Sequence, residues 1–299
     1  VISVDVDPSN PVSSDPFVDG IAQVVATGFK NPASAKFGPD GLLYVLDQTG
    51  EVFKINIETG AKTLFTTLQP GLDNMVFDSD GSLYMTNNDE GWVAKILPNG
   101  KAHILSRGGM IAPQGLAILP GLHKQDALFE ADIYNLRQFN TRTGEQENMY
   151  KGYLVPESTE SLIMPMNLSA DGDNLIISSW YSAAVQVWNP KLGVIESYPN
   201  LPVPIDAVRV NGEIVVSDFG LGGVVYASDN TLILPLEAAS GLATDGETLW
   251  AADWVTGVIK QIDFNNGSPT ITDFATGLMN PEGLALDKDG GLLVVEWGA

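Results

Sequence analysis

Oxygen-bearing side chains recur at the start of several short apolar segments in this 299-residue chain. They are Asp73, Asn74, Gln114, Asn167, Asp206 and Glu282. Carboxylate and amide oxygens are the ligands of Ca²⁺, which takes about six to eight of them at roughly 2.3–2.6 Å. Carboxyl groups also act as general acids and bases. If the fold brings these segments together, the six side chains form a metal or substrate site. The alternative is that they only solvate a water-filled channel.

A second set of residues ends the apolar segment that follows each of these. It comprises Asp47, Asn87, Asp132, Trp180, Asp218, Asp253 and Glu296. A repeated Asp or Asn just before a turn usually binds the backbone amides of a loop, and we expect this of Asp47, Asn87, Asp218 and Asp253. Glu296 is longer and can reach inward. We therefore predict Glu282, Glu296 and Asp132 as the catalytic carboxylates, with Glu130 as a further acidic candidate.

Aromatic residues follow this second set in four consecutive repeats. The position holds Gln48, Asn88, Ile133, Tyr181, Phe219, Trp254 and Trp297 in chain order. Aromatic rings beside carboxylates suit an amphipathic ligand or a sugar face. The predicted substrate-binding residues are therefore Trp180, Tyr181, Phe219, Trp254, Trp297 and Gln114. The alternative, held open, is that these rings pack between neighbouring repeats.

The elements that must position these residues are short β-strands in a repeated unit. Each unit reads as an apolar strand, an Asp-Gly or Asn-Gly turn, a second apolar strand, a short loop and two further strands. Such units begin near Asn31, Gly71, Pro113, Pro165 and Pro204, and again near Ser240 and Pro281. Four strands at a period of about 40 residues predict a β-propeller.

The last unit ends at Ala299 after two strands, and the N-terminal residues supply two more. We therefore predict an all-β fold, a seven-bladed β-propeller of about 43 residues per blade, with six blades as the alternative. Residues 1–299 form one propeller domain, in which 1–27 complete the blade begun by 278–299. In such a fold the starts of the innermost strands and the ends of the second strands surround one mouth of the central channel.

The composition excludes several functions. With no cysteine, the chain cannot form a disulfide, a zinc–cysteine site or a thiol nucleophile. The formal charge of −22 repels phosphate backbones, so nucleic acid is not an expected partner. No apolar run approaches the roughly 20 residues that span a membrane. The acidity favours an extracytoplasmic protein, periplasmic or secreted, and we expect a monomer.

The run FGPDGLLYVLDQTGEVFKINIETG, together with NPEGLALDKDGGLLVVEWG, resembles SMP-30/gluconolactonase, NHL-repeat and virginiamycin-B-lyase-like propellers. The resemblance covers nearly the whole chain. It implies a propeller and, in the enzymes of this group, Ca²⁺ or Mg²⁺ held in the channel by Glu, Asn and Asp, with lactonase, esterase or phosphotriesterase activity. Other members are binding modules. Two departures stand out: the SMP-30 group usually has six blades, and the lyases use a histidine base. Here His103 and His123 fall away from the predicted channel mouth.

These observations lead to two hypotheses of function. The first is a metal-assisted hydrolase of a small ester, lactone or related molecule, with Ca²⁺, rather than Mg²⁺, bound by Glu282, Asn167, Asp206, Asp73 and Asn74. The second is a non-catalytic ligand-binding propeller, or a metal-free carboxylate enzyme acting on a sugar-like or terpenoid substrate. Both require a small molecule at the channel mouth.

Overall fold

A computed structural model describes residues 2–4, 22–107, 109–120, 125–264, 268–286 and 290–297. Within these ranges every regular element is a β-strand. In chain order the strands are β1 (Ile2–Val4), β2 (Ala22–Val24), β3 (Pro32–Phe37), β4 (Leu43–Asp47), β5 (Glu51–Ile55), β6 (Lys62–Thr67), β7 (Leu72–Phe77), β8 (Leu83–Asn87), β9 (Trp92–Ile96), β10 (Ala102–Arg107), β11 (Leu116–Leu119), β12 (Ala127–Asp132), β13 (Asn135–Asn140), β14 (Gln146–Lys151), β15 (Asn167–Asp171), β16 (Asn174–Ser179), β17 (Ala184–Asn189), β18 (Gly193–Pro199), β19 (Pro204–Val210), β20 (Glu213–Asp218), β21 (Gly223–Tyr226), β22 (Leu232–Pro235), β23 (Ala239–Thr244), β24 (Thr248–Asp253), β25 (Val258–Asp263), β26 (Thr270–Ala275), β27 (Pro281–Leu286) and β28 (Leu292–Glu296).

These described strands form seven antiparallel sheets of four strands each. Six of the sheets use four consecutive strands, beginning with β3 and ending with β26. The remaining sheet has the order β2-β1-β28-β27, so the two ends of the chain build it together, as the sequence predicts. The innermost strands contact one another in the order β3, β7, β11, β15, β19, β23, β27 and back to β3. The predicted all-β propeller is therefore confirmed.

The turn between the first two strands of a sheet needs a left-handed backbone, which explains the recurring Asp-Gly and Asn-Gly pairs. Between β19 and β20, Asn211 and Gly212 both have positive φ, at 49° and 88°. This is the backbone of the tight hairpin turns that match the twist of paired strands. The short turn fixes the register of the innermost strand against the second strand, and so fixes which residues reach the channel.

The core lies between neighbouring sheets. The second strands are buried on both faces, and every residue of β4, β8 and β28 is buried. Ring closure is also a packing event, because Leu293 and Val295 of β28 pack with Leu43 and Val45 of β4. No helix among the described residues has the length and apolar character needed to span a membrane.

Candidate functional site at the channel mouth

The innermost strands surround a cavity of about 620 Å³ on the propeller axis. The starts of these strands line it, and all seven sheets contribute. Six polar residues predicted from the sequence share this lining: Asp73, Asn74, Gln114, Asn167, Asp206 and Glu282. A cavity of this size accommodates a drug-sized organic molecule.

In five of the described sheets, the innermost strand bulges at its start, where residues line the cavity. The register of β7 against β8 shifts between Leu72 and Met75, and that of β27 against β28 shifts between Pro281 and Leu284. Comparable shifts occur in β3, β19 and β23. A bulge inserts an extra residue and re-aims side chains, and bulges are common beside functional sites. Asp73 and Glu282 are both bulge residues.

Asp73 and Glu282 are two carboxyl groups that line the same cavity, and the charge of Asp73 acts on Glu282. Burial, and then the charge of Asp89, raise the pKa of Asp73 to about 6. Glu282 is exposed to the channel, yet desolvation by the surrounding channel wall raises its pKa as well, and the charge of Asp73 adds to that effect. Among the described residues, no hydrogen-bond donor contacts either carboxyl group. Both groups are therefore free to bind a ligand or to exchange a proton with one.

The other predicted metal ligands use their oxygens within the protein. The side-chain oxygen of Asn74 accepts a hydrogen bond from the Met75 amide at 2.8 Å, and that of Asn167 accepts one from the Leu168 amide at 2.9 Å. The Asp206 carboxylate accepts four further bonds, from the Ala207 and Leu242 amides, Asn167 Nδ2 and Ser169 Oγ. These bonds tie the three side chains to the starts of the innermost strands.

This donor set fits Ca²⁺ poorly. Calcium needs about six to eight oxygens. Among the described residues, no donor contacts the side-chain oxygens of Asp73 or Glu282, whereas those of Asn74, Asn167 and Asp206 accept hydrogen bonds. Within the described part of the chain, no group of three or more His, Asp or Glu side chains is placed to hold a metal ion. We therefore derive no chemical step through a metal, and calcium stays a prediction to be tested.

The carboxylates that end the second strands are buried and bind loop backbone. Asp253 accepts from the Glu237 amide at 2.9 Å and the Ala238 amide at 3.2 Å. Asp47, Asn87 and Asp218 accept loop amides in the same way. The structural interpretation of this set therefore agrees with the contacts.

Asp132 and Glu296, predicted as catalytic, share this capping role. Asp132 accepts the Ile111 amide at 2.6 Å and pairs with Arg137 Nη2 at 2.9 Å. Glu296 accepts the Met279 amide at 2.6 Å. They lie one strand farther from the axis than Glu282, beneath the loop that enters the sheet, and neither lines the cavity. Glu130 is fully buried in β12 and does not line the cavity either.

The aromatic residues align differently from the sequence prediction. Strand β16 ends at Ser179, whose hydroxyl accepts the Ser182 amide at 3.1 Å, so Ser179 takes the capping position. Trp180 therefore occupies the next position, and Tyr181 lies one residue beyond it. Four consecutive sheets now carry an aromatic ring at the equivalent place: Trp180, Phe219, Trp254 and Trp297. We call these four residues the aromatic crescent.

The aromatic crescent faces the channel mouth. Trp180, Phe219 and Trp254 line the cavity. Trp297 lies beside Trp254, with ring centroids 6.1 Å apart, and Tyr181 lies 6.3 Å from Trp180. Trp180, Phe219 and Trp297 are 41%, 54% and 42% exposed. Rings that only packed between sheets would be buried, so this exposure favours the ligand-binding interpretation.

Sequence reasoning missed Lys36, which lies in β3 and lines the same cavity. At the matching position of three other innermost strands, the lining holds Val76, Ser169 and Val208. A lysine among apolar and small residues at one level of the repeat is the signal that would have found it. Of the two histidines, His103 is exposed in the outermost strand β10 and away from the cavity, and His123 lies outside the described residues.

The fold has known structural neighbours, although no protein-family model and no curated protein matches the sequence. Virginiamycin B lyase from Staphylococcus aureus superposes with a TM-score of 0.69 at 15% identity, covering 86% of this chain and 89% of that one. Its catalytically inactive histidine-to-alanine variant with quinupristin gives 0.67 at 14% identity, covering 88% and 93%. U3-55K gives 0.71 at 14%, covering 90% and 88%. This chain is thus a β-propeller whose structural neighbours include virginiamycin-B-lyase-like propellers, while its resemblance to SMP-30/gluconolactonase stays a prediction.

Proposed function

We propose that the protein binds a small organic molecule at the channel mouth and acts on it by acid–base catalysis with Asp73 and Glu282. One observation carries the proposal. Trp180, Phe219 and Trp254 of the aromatic crescent line one cavity that also holds two carboxyl groups with raised pKa values. The rings would hold an apolar part of the ligand, and the carboxyl pair would meet its polar, reacting part.

The carboxyl pair suits proton transfer near neutral pH. A group titrating at about 6, as Asp73 does, exchanges protons at mild pH. Two interacting carboxyl groups lose their protons in separate steps, so one can stay protonated while the other is ionised. For an ester or lactone, the ionised group would take a proton from water as that water attacks the carbonyl carbon. The protonated group would then give its proton to the departing oxygen.

Histidine chemistry is not the basis of this proposal. The structural neighbour solved with quinupristin is an inactive histidine-to-alanine variant, so that lyase depends on a histidine. In the described part of this chain, no histidine lines the cavity. The proposal is therefore the metal-free, carboxylate-dependent form of the enzyme hypothesis. The metal-assisted hydrolase shares the same site and is distinguished from it by the calcium experiment in the Discussion.

A non-catalytic ligand-binding propeller is the second candidate. The exposure of three crescent rings at one rim favours it, because exposed apolar groups gathered at one place mark recognition surfaces. This candidate requires the crescent but not an ionisable carboxyl pair. Substituting a crescent residue should therefore weaken binding under both candidates, whereas substituting Asp73 or Glu282 should abolish conversion only if the protein is an enzyme.

Binding and turnover should be measured separately with defined probes. Quenching of tryptophan fluorescence would report binding of quinupristin and of the aromatic lactone dihydrocoumarin, and chromatography would report their conversion. We expect Trp254→Ala to weaken binding. Asp73→Asn and Glu282→Gln should abolish conversion while binding persists, and Glu90→Gln, an exposed change on the same face, should leave both intact. Conversion that survives both carboxyl substitutions would exclude these groups as catalysts. Binding unchanged by Trp254→Ala would exclude the crescent.

A further inference from the structure

Lys36 places an amine inside the central channel. It lies near the end of β3, deeper than the ring of bulge residues, and its side chain is only partly exposed. At the same level the lining includes the apolar Val76 and Val208. A lysine usually extends its ammonium into bulk water, so an inward-facing one at this depth calls for a chemical explanation.

No fold-stabilising contact accounts for the Lys36 amine. Among the described residues, its nitrogen has no hydrogen-bond acceptor and no ion-pair partner. The charge of Asp206 acts on it from a distance. That carboxylate already accepts bonds from the Ala207 and Leu242 amides, and Asn167 Nδ2 lies 3.1 Å from it. The amine thus faces the cavity rather than a protein partner.

The surroundings of Lys36 favour its uncharged form. Burial lowers its pKa below the ordinary value, and the attraction of Asp206 opposes only part of that effect. An uncharged amine is a nucleophile, and a desolvated lysine in an apolar pocket is a known way to activate one. The aromatic crescent borders the same cavity and can hold the apolar body of a reactant above the amine.

We propose that Lys36 is a reactive amine that condenses with the carbonyl group of an aldehyde or ketone whose apolar body rests on the aromatic crescent. The nitrogen lone pair forms a bond to the carbonyl carbon, and the electron pair of the carbonyl bond moves to oxygen. The two N–H protons end on that oxygen, which departs as water and leaves an imine. No oxidant or reductant is consumed. This covalent site goes beyond the acid–base function proposed for Asp73 and Glu282 and does not rest on it.

Reductive trapping on the wild-type chain tests the proposal. The protein is incubated at pH 7 with 2-naphthaldehyde and sodium cyanoborohydride, which converts an imine into a stable amine, and each lysine is then followed by peptide mass spectrometry. The exposed Lys101 of the same molecule is the internal reference. We expect Lys36 to be labelled faster than Lys101, because a lowered pKa leaves more of its amine uncharged at pH 7. After unfolding in urea, the preference should disappear.

Two further arms make each result decisive. Formaldehyde replaces 2-naphthaldehyde in the first, because it reaches an amine without needing the crescent. If formaldehyde labels Lys36 faster than Lys101 but 2-naphthaldehyde does not, the role of the crescent is overturned. If neither reagent labels Lys36 faster than Lys101, the reactive amine is overturned. In the second arm, Lys36→Met should lose the naphthyl adduct, and Lys101→Met should keep it. Phe219→Ala should slow the labelling of Lys36 by 2-naphthaldehyde but not its labelling by formaldehyde. These results do not depend on whether Asp73→Asn abolishes turnover.

Discussion

Replacing Asp73 with asparagine should stabilise the protein at neutral pH while removing a group of the proposed site. Asp73 is partly buried in the channel, and burial together with the charge of Asp89 raises its pKa from 3.8 to about 6. In the unfolded chain the same group ionises at its ordinary value. Between these two pH values the folded protein keeps a proton that the unfolded chain has lost, so stability falls as the pH rises through this range.

The magnitude follows from that displacement. A change from 3.8 to about 6 corresponds to about 3 kcal/mol of unfavourable ionisation in the folded state, at about 1.4 kcal/mol per pKa unit. Asparagine has nearly the same shape and carries no charge. Asp73→Asn should therefore raise the free energy of unfolding by up to about 3 kcal/mol at pH 8 and leave it nearly unchanged at pH 3.5.

Urea denaturation at a series of pH values measures this effect. Because the chain carries a formal charge of −22, general charge repulsion also changes with pH. Asp80→Asn, in an exposed turn of the same sheet, removes the same charge and serves as the matched control. The quantity of interest is the difference between the two variants. If Asp73→Asn and Asp80→Asn follow the same curve from pH 4 to pH 8, the argument that Asp73 is destabilised in the channel is refuted.

Three further substitutions and additions test other parts of the structure. Burial, and then the charge of Asp132, raise the pKa of Glu130 well above its ordinary value. Its protonated form therefore contributes to the stability of the fold at low pH, and this contribution is lost as the pH rises. Glu130→Gln should raise the free energy of unfolding in urea above about pH 5 and not below it. Asp253→Ala should lower the free energy of unfolding by more than about 2 kcal/mol because buried amides lose their acceptor, whereas the exposed Glu237→Ala should not. The calcium hypothesis predicts a Tm that rises with added Ca²⁺ and falls with EDTA; the donor set described above favours an unchanged Tm.

The fold could be predicted from sequence because its rules are local. Apolar segments with Asp-Gly or Asn-Gly between them specify hairpins, and a regular spacing specifies their repetition. The polar residues of the channel could be placed only to within one position, and the bulges explain why. In β7 both Asp73 and Asn74 occupy the irregular part of the strand and both line the cavity, which the regular alternation of a strand does not predict.

The capping residues show what the sequence could not resolve. The repeat pattern predicts that Glu296 lies at the channel mouth. Its side chain instead binds the backbone amide of Met279, in the loop that precedes β27. At β16 a serine replaces the usual carboxylate, so the repeat pattern places Trp180 at the capping position that Ser179 fills. Lys36 lies deeper in its strand than the polar positions that predict the site, at a level where other strands carry Val76, Ser169 and Val208.

The direction of the pKa change separates carboxylates that hold the fold from those in the channel. Burial raises the pKa of Asp47 and Asp253, but hydrogen bonds from neighbouring hydroxyl and amide groups outweigh it, so both lie below their ordinary values and stabilise the fold once ionised. Asp73 and Glu282 have raised pKa values and accept no hydrogen bond from the described residues, so their ionisation costs stability. Asp218 shows that the sign is not sufficient alone, since it caps a loop and still has a raised pKa through burial. The functional assignment therefore depends on the combination: a carboxyl group that weakens the fold, bonds to no protein donor and opens into a cavity serves something other than folding.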